Sequence, residues 1–356
     1  MTSNRVRFAL IGCGQIAKKH AAAVNRLSDA EIVGVYDENA DAAGQFASSH
    51  NLQAYDTLDD LVRLTEPDVF SILTPSGAHA ENVLSVIGYK RNVVVEKPIA
   101  LRLDDVDRIL EECDKAGVSL FVVQQNRFNP PVQWAKKALE AGRFGKLVMG
   151  TVRVRWCRDQ KYYDQKSWRG TWALDGGVLT NQASHHIDML LWMMGPVESV
   201  FAKTATRLVN IEAEDTGAAV LKFRSGALGI VEATTATRPR DLEGSISILG
   251  EKGSVEIGGF FMNELKTWTF ADPSPEDERV WQEGAGVPKE FAWNHTEYLR
   301  NVVECIRSES RGLVDGLEGR KSIEVINAIY ESSETGVESS LRFTPKKCRL
   351  GVSHGS

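Results

Sequence analysis

IGCGQIAKKH, residues 11–20, follows the apolar run VRFAL directly and supplies glycines at 12 and 14 and an alanine at 17. Gly12 permits a tight turn, Gly14 lets the backbone approach a pyrophosphate, and small Ala17 lets the next helix pack closely on the strand. The spacing predicts strand, turn and helix, with the first helical amides, those of Gln15 and Ile16, facing phosphate. Alone, GxGxxA is a weak signal. Here it opens a strand–helix–strand unit whose second strand, EIVGVYD, ends in Asp37, placed to receive the hydroxyls of an adenosine ribose. Glu38 and Asn39 follow, with no arginine for a 2′-phosphate, so NAD is favoured over NADP.

Outward from that turn the alternation continues. DVFSILTP, NVVVEKP and SLFVVQQ read as further strands, separated by amphipathic helical stretches near residues 40–50, 78–87 and 103–116. Strands spaced by helices make a parallel sheet. After Pro130 the pattern changes. One helix near 132–141 leads into KLVMGTVRVRW, and VESVFAKTATRL, TGAAVLKFRSGALGIVEATTAT, SISILGEKGSVEI and ELKTWTF read as strands with hairpin turns at SGA and GEKG. Helices are expected near 183–194, 291–307 and 319–332, and a last strand at SLRFT. The expected fold is an α/β Rossmann domain over residues 1–128, then an α+β domain over 129–350 with a large, open, mainly antiparallel sheet, then a loose tail at 351–356.

The totals narrow the choices. A chain of 356 residues exceeds the usual single core, and its net charge of −6 argues against a nucleic-acid partner. Cys13, Cys113, Cys157, Cys305 and Cys348 are scattered without a CxxC pair, which suggests neither a disulfide framework nor a zinc site and fits a reducing cytosol. The apolar N-terminal run is too short for a signal sequence, and no span of about twenty apolar residues could cross a membrane.

Three further stretches carry candidate chemistry. In VVVEKPIALRLDD, residues 93–105, Pro98 removes a backbone donor and holds Lys97 extended at the C-terminal end of a buried strand, where open parallel sheets place ligand-facing groups. Lys97 is expected near the nicotinamide. In DGGVLTNQASHHIDMLLW, residues 175–192, a helix over 181–194 would put Asn181 and His185 at i and i+4, with Asp188 further along and His186 pointing elsewhere. The paired histidines hint at metal, but spacing supplies no third ligand and no metal is expected. RVRWCRDQKYYDQKSWR, residues 153–169, sets six basic residues against two aspartates and interleaves Trp156, Tyr162, Tyr163 and Trp168. Arginines beside aromatic rings suit a nucleotide diphosphate, which makes Arg155, Arg158 and Tyr163 candidate contacts for an anionic substrate. The alternative is a solvated charged hairpin.

The glycine motif, TPxxxH (Thr74, Pro75, His79), EKP (Glu96, Lys97, Pro98), WRG at 168–170 and GG followed by HxxD at 185–188 together resemble the Gfo/Idh/MocA oxidoreductases over nearly the whole chain. That resemblance implies an open sheet used for oligomerisation, as a homo-oligomer with a tetramer favoured. It further implies Thr74, Pro75, His79 and Glu96 beside the cofactor, Trp168 and Arg169 closing over it, and Lys97 with His185 flanking the reacting hydroxyl. This chain departs from the pattern at Asn181, where inositol dehydrogenases carry an aspartate, so the carboxylate of a proton relay is replaced by a neutral amide that suits an anionic substrate. YYDQxxWRGTW, NQASHHID and FxPxxxRLG (Phe343, Pro345, Arg349, Leu350, Gly351) resemble the UDP-N-acetylglucosaminuronate 3-dehydrogenases within that family. The implied reaction is NAD-dependent oxidation of a sugar C3 hydroxyl. Imidazole titrates near neutrality, which suits His185 as general base, with Lys97 stabilising developing alkoxide charge or itself accepting the proton. An inositol or simple-sugar dehydrogenase and a non-enzymatic NAD-binding regulator are the rival readings.

Overall fold

The computed structural model describes residues 5–284, 290–310, 312–341 and 350. Two compact units emerge: residues 1–100, 104–125 and 289–320 form the first, and 101–103, 126–288 and 321–356 the second.

The first unit is built on a five-stranded parallel sheet, β1 (Val6–Ile11), β2 (Ala30–Tyr36), β3 (Val69–Ile72), β4 (Asn92–Val95) and β5 (Leu120–Val122), in the order β2-β1-β3-β4-β5. The chain leaves β1 for β2 on one side and returns to β3 on the other, which creates a switch point at the carboxyl ends of β1 and β3. Val93, Val94 and Val95 are fully buried, as a strand covered on both faces requires. Helix Gln15–Val24 lays Ala17 and Ala21 into a cluster with Leu10, Val35, Phe46 and Leu73.

Sequence reading expected one crossing near residue 128, but residues 289–320 return to the first unit. Helix Trp293–Ser308 buries His295, Tyr298, Leu299, Val302 and Val303 there. Arg320 pairs with Asp107 at 2.6 Å, and a Cβ at Gly319 would come within 2.6 Å of Val122. Helical periodicity tells which face is buried but not which sheet buries it.

The second unit holds an eight-stranded sheet of β6 (Leu147–Arg155), β7 (Val197–Ala205), β8 (Thr216–Phe223), β9 (Leu228–Thr234), β10 (Glu243–Gly250), β11 (Gly253–Gly258), β12 (Glu264–Phe270) and β13 (Ser339–Ser340), in the order β12-β11-β10-β6-β9-β8-β7-β13. Only β6 and β9 run parallel. On β6, Gly150, Val152 and Val154 are buried beneath helix Ser184–Met194, and a Cβ at Gly150 would lie 2.7 Å from both Leu190 and Met194. On the opposite face Phe201, Val220 and Ile230 stand in register across β7, β8 and β9, and Phe201, Val220, Leu228 and Leu249 are each 40–49% exposed. The last strand begins one residue before the expected SLRFT; residues 342–344, the motif residues Phe343, Pro345, Arg349 and Gly351, Cys348, and the tail 351–356 lie outside the described residues. Among the described residues no helix is long and apolar enough to cross a membrane.

Candidate active site

The glycine turn is fixed by close backbone approach. Gly12 has φ +97°, and a Cβ there would stand 2.9 Å from the Leu73 carbonyl carbon, so only glycine fits. Around Gly14 a Cβ would meet nothing within 4 Å, which leaves the start of helix Gln15–Val24 open. That helix has no side-chain cap and no acidic residue in its first turn, so the amides near Gln15 and Ile16 present positive partial charge to an anion. Asp37 follows β2 directly. Its carboxylate accepts the Cys13 amide at 2.7 Å and the Asn39 amide at 2.9 Å, which holds it beside the turn. Burial and the Asp37 charge push the Cys13 thiol up to about 12, so it stays protonated. The open cradle, the helix start and the strand-end carboxylate fit an NAD pyrophosphate and ribose.

Lys97 stands just past β4, as expected, before a cis peptide bond to Pro98. Two of its motif neighbours, His79 and Glu96, are held by contacts inside the first unit. His79 is 1% exposed, with Nδ1 2.7 Å from the Pro98 carbonyl and Nε2 2.9 Å from the Thr74 carbonyl. Both ring nitrogens thus face backbone carbonyls, and His79 links the Thr74-Pro75 loop to the turn after Lys97. Burial lowers its pKa. Glu96 likewise turns inward: Oε1 lies 3.0 Å from His20 Nε2 and 3.8 Å from His295 Nε2, and Oε2 accepts the Lys97 amide at 3.1 Å. Burial works to raise the Glu96 pKa, but the two imidazoles outweigh it and hold the carboxyl well below its ordinary range. Glu96 thus supports the backbone of Lys97.

In the second unit the helix begins at Ser184, not at 181. Residues 178–182 form a separate turn, with the Asn181 amide on the Gly177 carbonyl at 3.0 Å, and the Ala183 amide closes it on the Val178 carbonyl at 2.8 Å. Asn181 therefore lies in the turn that precedes the helix carrying His185. The Asn181 side chain donates to Asp175 Oδ1, while Asp175 Oδ2 accepts the Gly170 amide at 2.8 Å. A carboxylate is present after all, one hydrogen bond behind the amide. Asp175 lies in the same sequence stretch, six residues ahead of Asn181, where its spacing could have flagged it.

Deeper support comes from residues that no motif announced. A Cβ at Gly177 would meet the Glu214 carbonyl at 2.2 Å, so glycine is forced by close approach. Glu214 Oε1 accepts the Leu179 amide and the Tyr330 hydroxyl, each at 2.9 Å, and the Tyr330 hydroxyl also meets Thr180 at 2.8 Å. Burial raises Glu214 to about 7. Asp188 is buried against Arg127 in a bidentate pair, at 2.7 and 2.8 Å, with Ser322 at 3.0 Å, so it anchors the helix. His185 is partly exposed, whereas His186 is 1% exposed, edge-on to Trp156 and lowered by burial to about 3.

The basic aromatic segment divides by strand alternation. Trp156 continues the face that carries Val152 and Val154, while Arg153 and Arg155 project from the other. Arg155 makes a bidentate pair with Glu232 at 2.6 and 2.8 Å and reaches Glu243 at 3.2 Å. The positive charge of Arg155 is thus matched across the sheet. Tyr163 is 4% exposed, with its hydroxyl 3.0 Å from that of Thr235 and its pKa pushed up to about 12 by burial. Arg158 pairs with Asp241 at 3.0 Å and lies over the rings of Trp156, Tyr162 and Phe260, on the side of the helix that carries His185. Arg169 caps the Tyr162 carbonyl at 2.7 Å and stacks on that ring at 4.1 Å; Trp168, beside it, is partly exposed.

The parallel sheet with its glycine turn, open helix start and strand-end carboxylate defines a dinucleotide-binding oxidoreductase domain. Residues 6–124 match the oxidoreductase family NAD-binding Rossmann fold, and residues 136–341 match the oxidoreductase family C-terminal alpha/beta domain. The chain belongs to the Gfo/Idh/MocA oxidoreductase family. It is 43% identical to the WlbA dehydrogenase of Bordetella pertussis, solved in complex with NADH and UDP-GlcNAcA, with TM-score 0.92 over 96% of this chain and 99% of that one. The WlbA dehydrogenase of Chromobacterium violaceum, solved with the same two ligands, is 42% identical with TM-score 0.89 over 96% and 97%. Myo-inositol 2-dehydrogenase of Thermotoga maritima is 26% identical, covering 92% of this chain and 96% of its own.

Proposed function

We propose that this protein oxidises the C3 hydroxyl of UDP-N-acetylglucosaminuronic acid to the 3-keto sugar nucleotide, in a step suited to polysaccharide biosynthesis in the cytosol. The observation that carries this reading is the 43% identity, along 96% of the chain, to a dehydrogenase holding NADH and UDP-GlcNAcA. NAD⁺, when bound, supplies the hydride acceptor. His185 takes the hydroxyl proton, and partial exposure leaves its imidazole a route to pass that proton to water. Lys97, its backbone fixed by Glu96, stabilises negative charge developing on the oxygen. Asn181, steadied by Asp175, orients the hydroxyl without adding a charge of its own. Arg158, held in its nest of rings, serves the diphosphate, while Trp168 and Arg169 serve the cofactor side.

Assembly is part of the reading. The apolar row of exposed Phe201 and Val220 and half-buried Ile230 suits sheet-to-sheet packing of subunits, with a tetramer as the favoured form. The test is to follow NADH absorbance with purified protein, NAD⁺ and a panel of UDP-sugars, inositol and glucose. Turnover of UDP-GlcNAcA above all neutral polyols supports the proposal, whereas faster turnover of inositol replaces it with a polyol dehydrogenase.

A further inference from the structure

Three stretches far apart in sequence meet inside the first unit at His20, Glu96 and His295. His20 comes from the helix after the glycine turn, Glu96 from the end of β4, and His295 from the returning helix. Their side chains are 0%, 8% and 2% exposed, and one ligand atom from each lies within 4.8 Å of the others. His20 Nε2 and Glu96 Oε1 are in contact at 3.0 Å. His295 Nε2, at 3.8 Å from the same oxygen, has no hydrogen-bond partner, although it is aimed into the cluster and shut away from water. Burying an imidazole nitrogen in that state is unfavourable unless something else satisfies it.

We propose that His20, Glu96 and His295 form a structural site for a divalent transition metal, with zinc the best fit. Two imidazoles and a carboxylate suit zinc and its neighbours, whereas magnesium and calcium favour all-oxygen sets. Zinc sits about 2.0–2.2 Å from such ligands, so ligand atoms that share it in a tetrahedron stand about 3.4 Å apart, and the widest pair of the cluster closes by up to about 1.4 Å on binding. The outer contacts suit the task. Asn294 Oδ1 lies 3.2 Å from His295 Nδ1 and orients the ring with Nε2 inward, and Glu96 Oε2 is steadied by the Lys97 amide. Burial of all three side chains keeps substrate away from the ion, and a trapped water would fill the fourth position of the tetrahedron. The site's effect would be to fasten the helix of the glycine turn and the returning helix to the backbone of Lys97.

The experiment uses untagged full-length protein made in zinc-supplemented medium, with metal measured by plasma mass spectrometry before and after dialysis against EDTA. About one equivalent of zinc per chain is expected, and adding zinc to the stripped protein should raise its melting temperature by about 5 °C or more. Visible d–d absorption on cobalt substitution should report the nitrogen and oxygen ligands. Glu96→Gln and His295→Gln should lose the metal and the zinc-dependent shift. Wild-type protein without metal, whose melting temperature is indifferent to zinc, overturns the proposal, as does metal retained in full by both variants. If either variant fails to fold, the wild-type stoichiometry and shift still decide.

Discussion

The two sheets put their chemistry in different places. In the first unit the central strands are buried on both faces, so a polar side chain such as Lys97 has room only beyond a strand end. In the second unit one face of β6 lies under a helix while the other carries charged and apolar side chains, so a step of one residue moves a side chain to the opposite face. Arg155 and Trp156 are neighbours in sequence yet face opposite ways. A strand end is a position that sequence can mark, by proline or glycine; a face depends on register and on which side is covered.

The largest effects should fall on groups that meet charge changing during the reaction. Lys97→Ala and His185→Ala are each expected to lower kcat by about 10²- to 10⁴-fold, the usual worth of a positioned proton acceptor or charge stabiliser, while NAD affinity holds. Stopped-flow NADH formation and a separate NAD titration check the two halves of that statement. Normal turnover in either variant removes that residue from the mechanism.

Next in size is the buried carboxyl beneath the second unit's glycine pair. Glu214 is raised to about 7 in the folded protein, so the folded state holds a proton that the unfolded chain releases near its ordinary value of 4.5. Its contribution is therefore full below pH 4.5 and is lost as pH rises through 7, by roughly 3 kcal/mol in all. Glu214→Gln should flatten that part of the stability–pH profile. Urea unfolding of wild type and variant at pH 5 and pH 8 gives the comparison, and parallel profiles would refute the assignment.

What was legible in the sequence follows the same division. The glycine turn, Asp37 and Lys97 could be located because backbone constraints write themselves as glycine, proline and valine runs. The Glu214–Tyr330 network and the His20–Glu96–His295 cluster could not, because their members are distant in sequence and joined only by tertiary packing. The partners of the β6 arginines are hidden for a related cause: charge can be summed along the chain, while Glu232 and Glu243 arrive from neighbouring strands.

Smaller changes sharpen the contrast between strand end and strand face. Asp37→Ala should weaken NAD binding by roughly 10- to 100-fold, the worth of hydrogen bonds to a charged group, and narrow the preference over NADP. Equal binding of both cofactors by wild type would break the ribose assignment. On the sheet face, Val220→Asp places a charge in the exposed apolar row and should weaken self-association by about tenfold or more. Light scattering reads the shift to smaller species; an unchanged mass with unchanged circular dichroism would show that subunits meet elsewhere.

The smallest effect is expected at Arg155. Its bidentate contact with Glu232 is well formed, but the side chains are 33% and 38% exposed, and partly solvated pairs are usually worth about 0.2–1 kcal/mol. A double-mutant cycle with Arg155→Ala and Glu232→Ala should return a coupling in that range, shrinking as salt is added. Because the guanidinium faces away from the helix of His185 and is already matched by carboxylates, KM for the UDP-sugar should change by less than about twofold. Arg158→Ala should raise KM more, since that guanidinium lies on the Trp156 side of the strand. A tenfold or larger rise in KM for Arg155→Ala, growing as salt is removed, would mean that the substrate reaches the outer face and that strand alternation is not what separates assembly from binding.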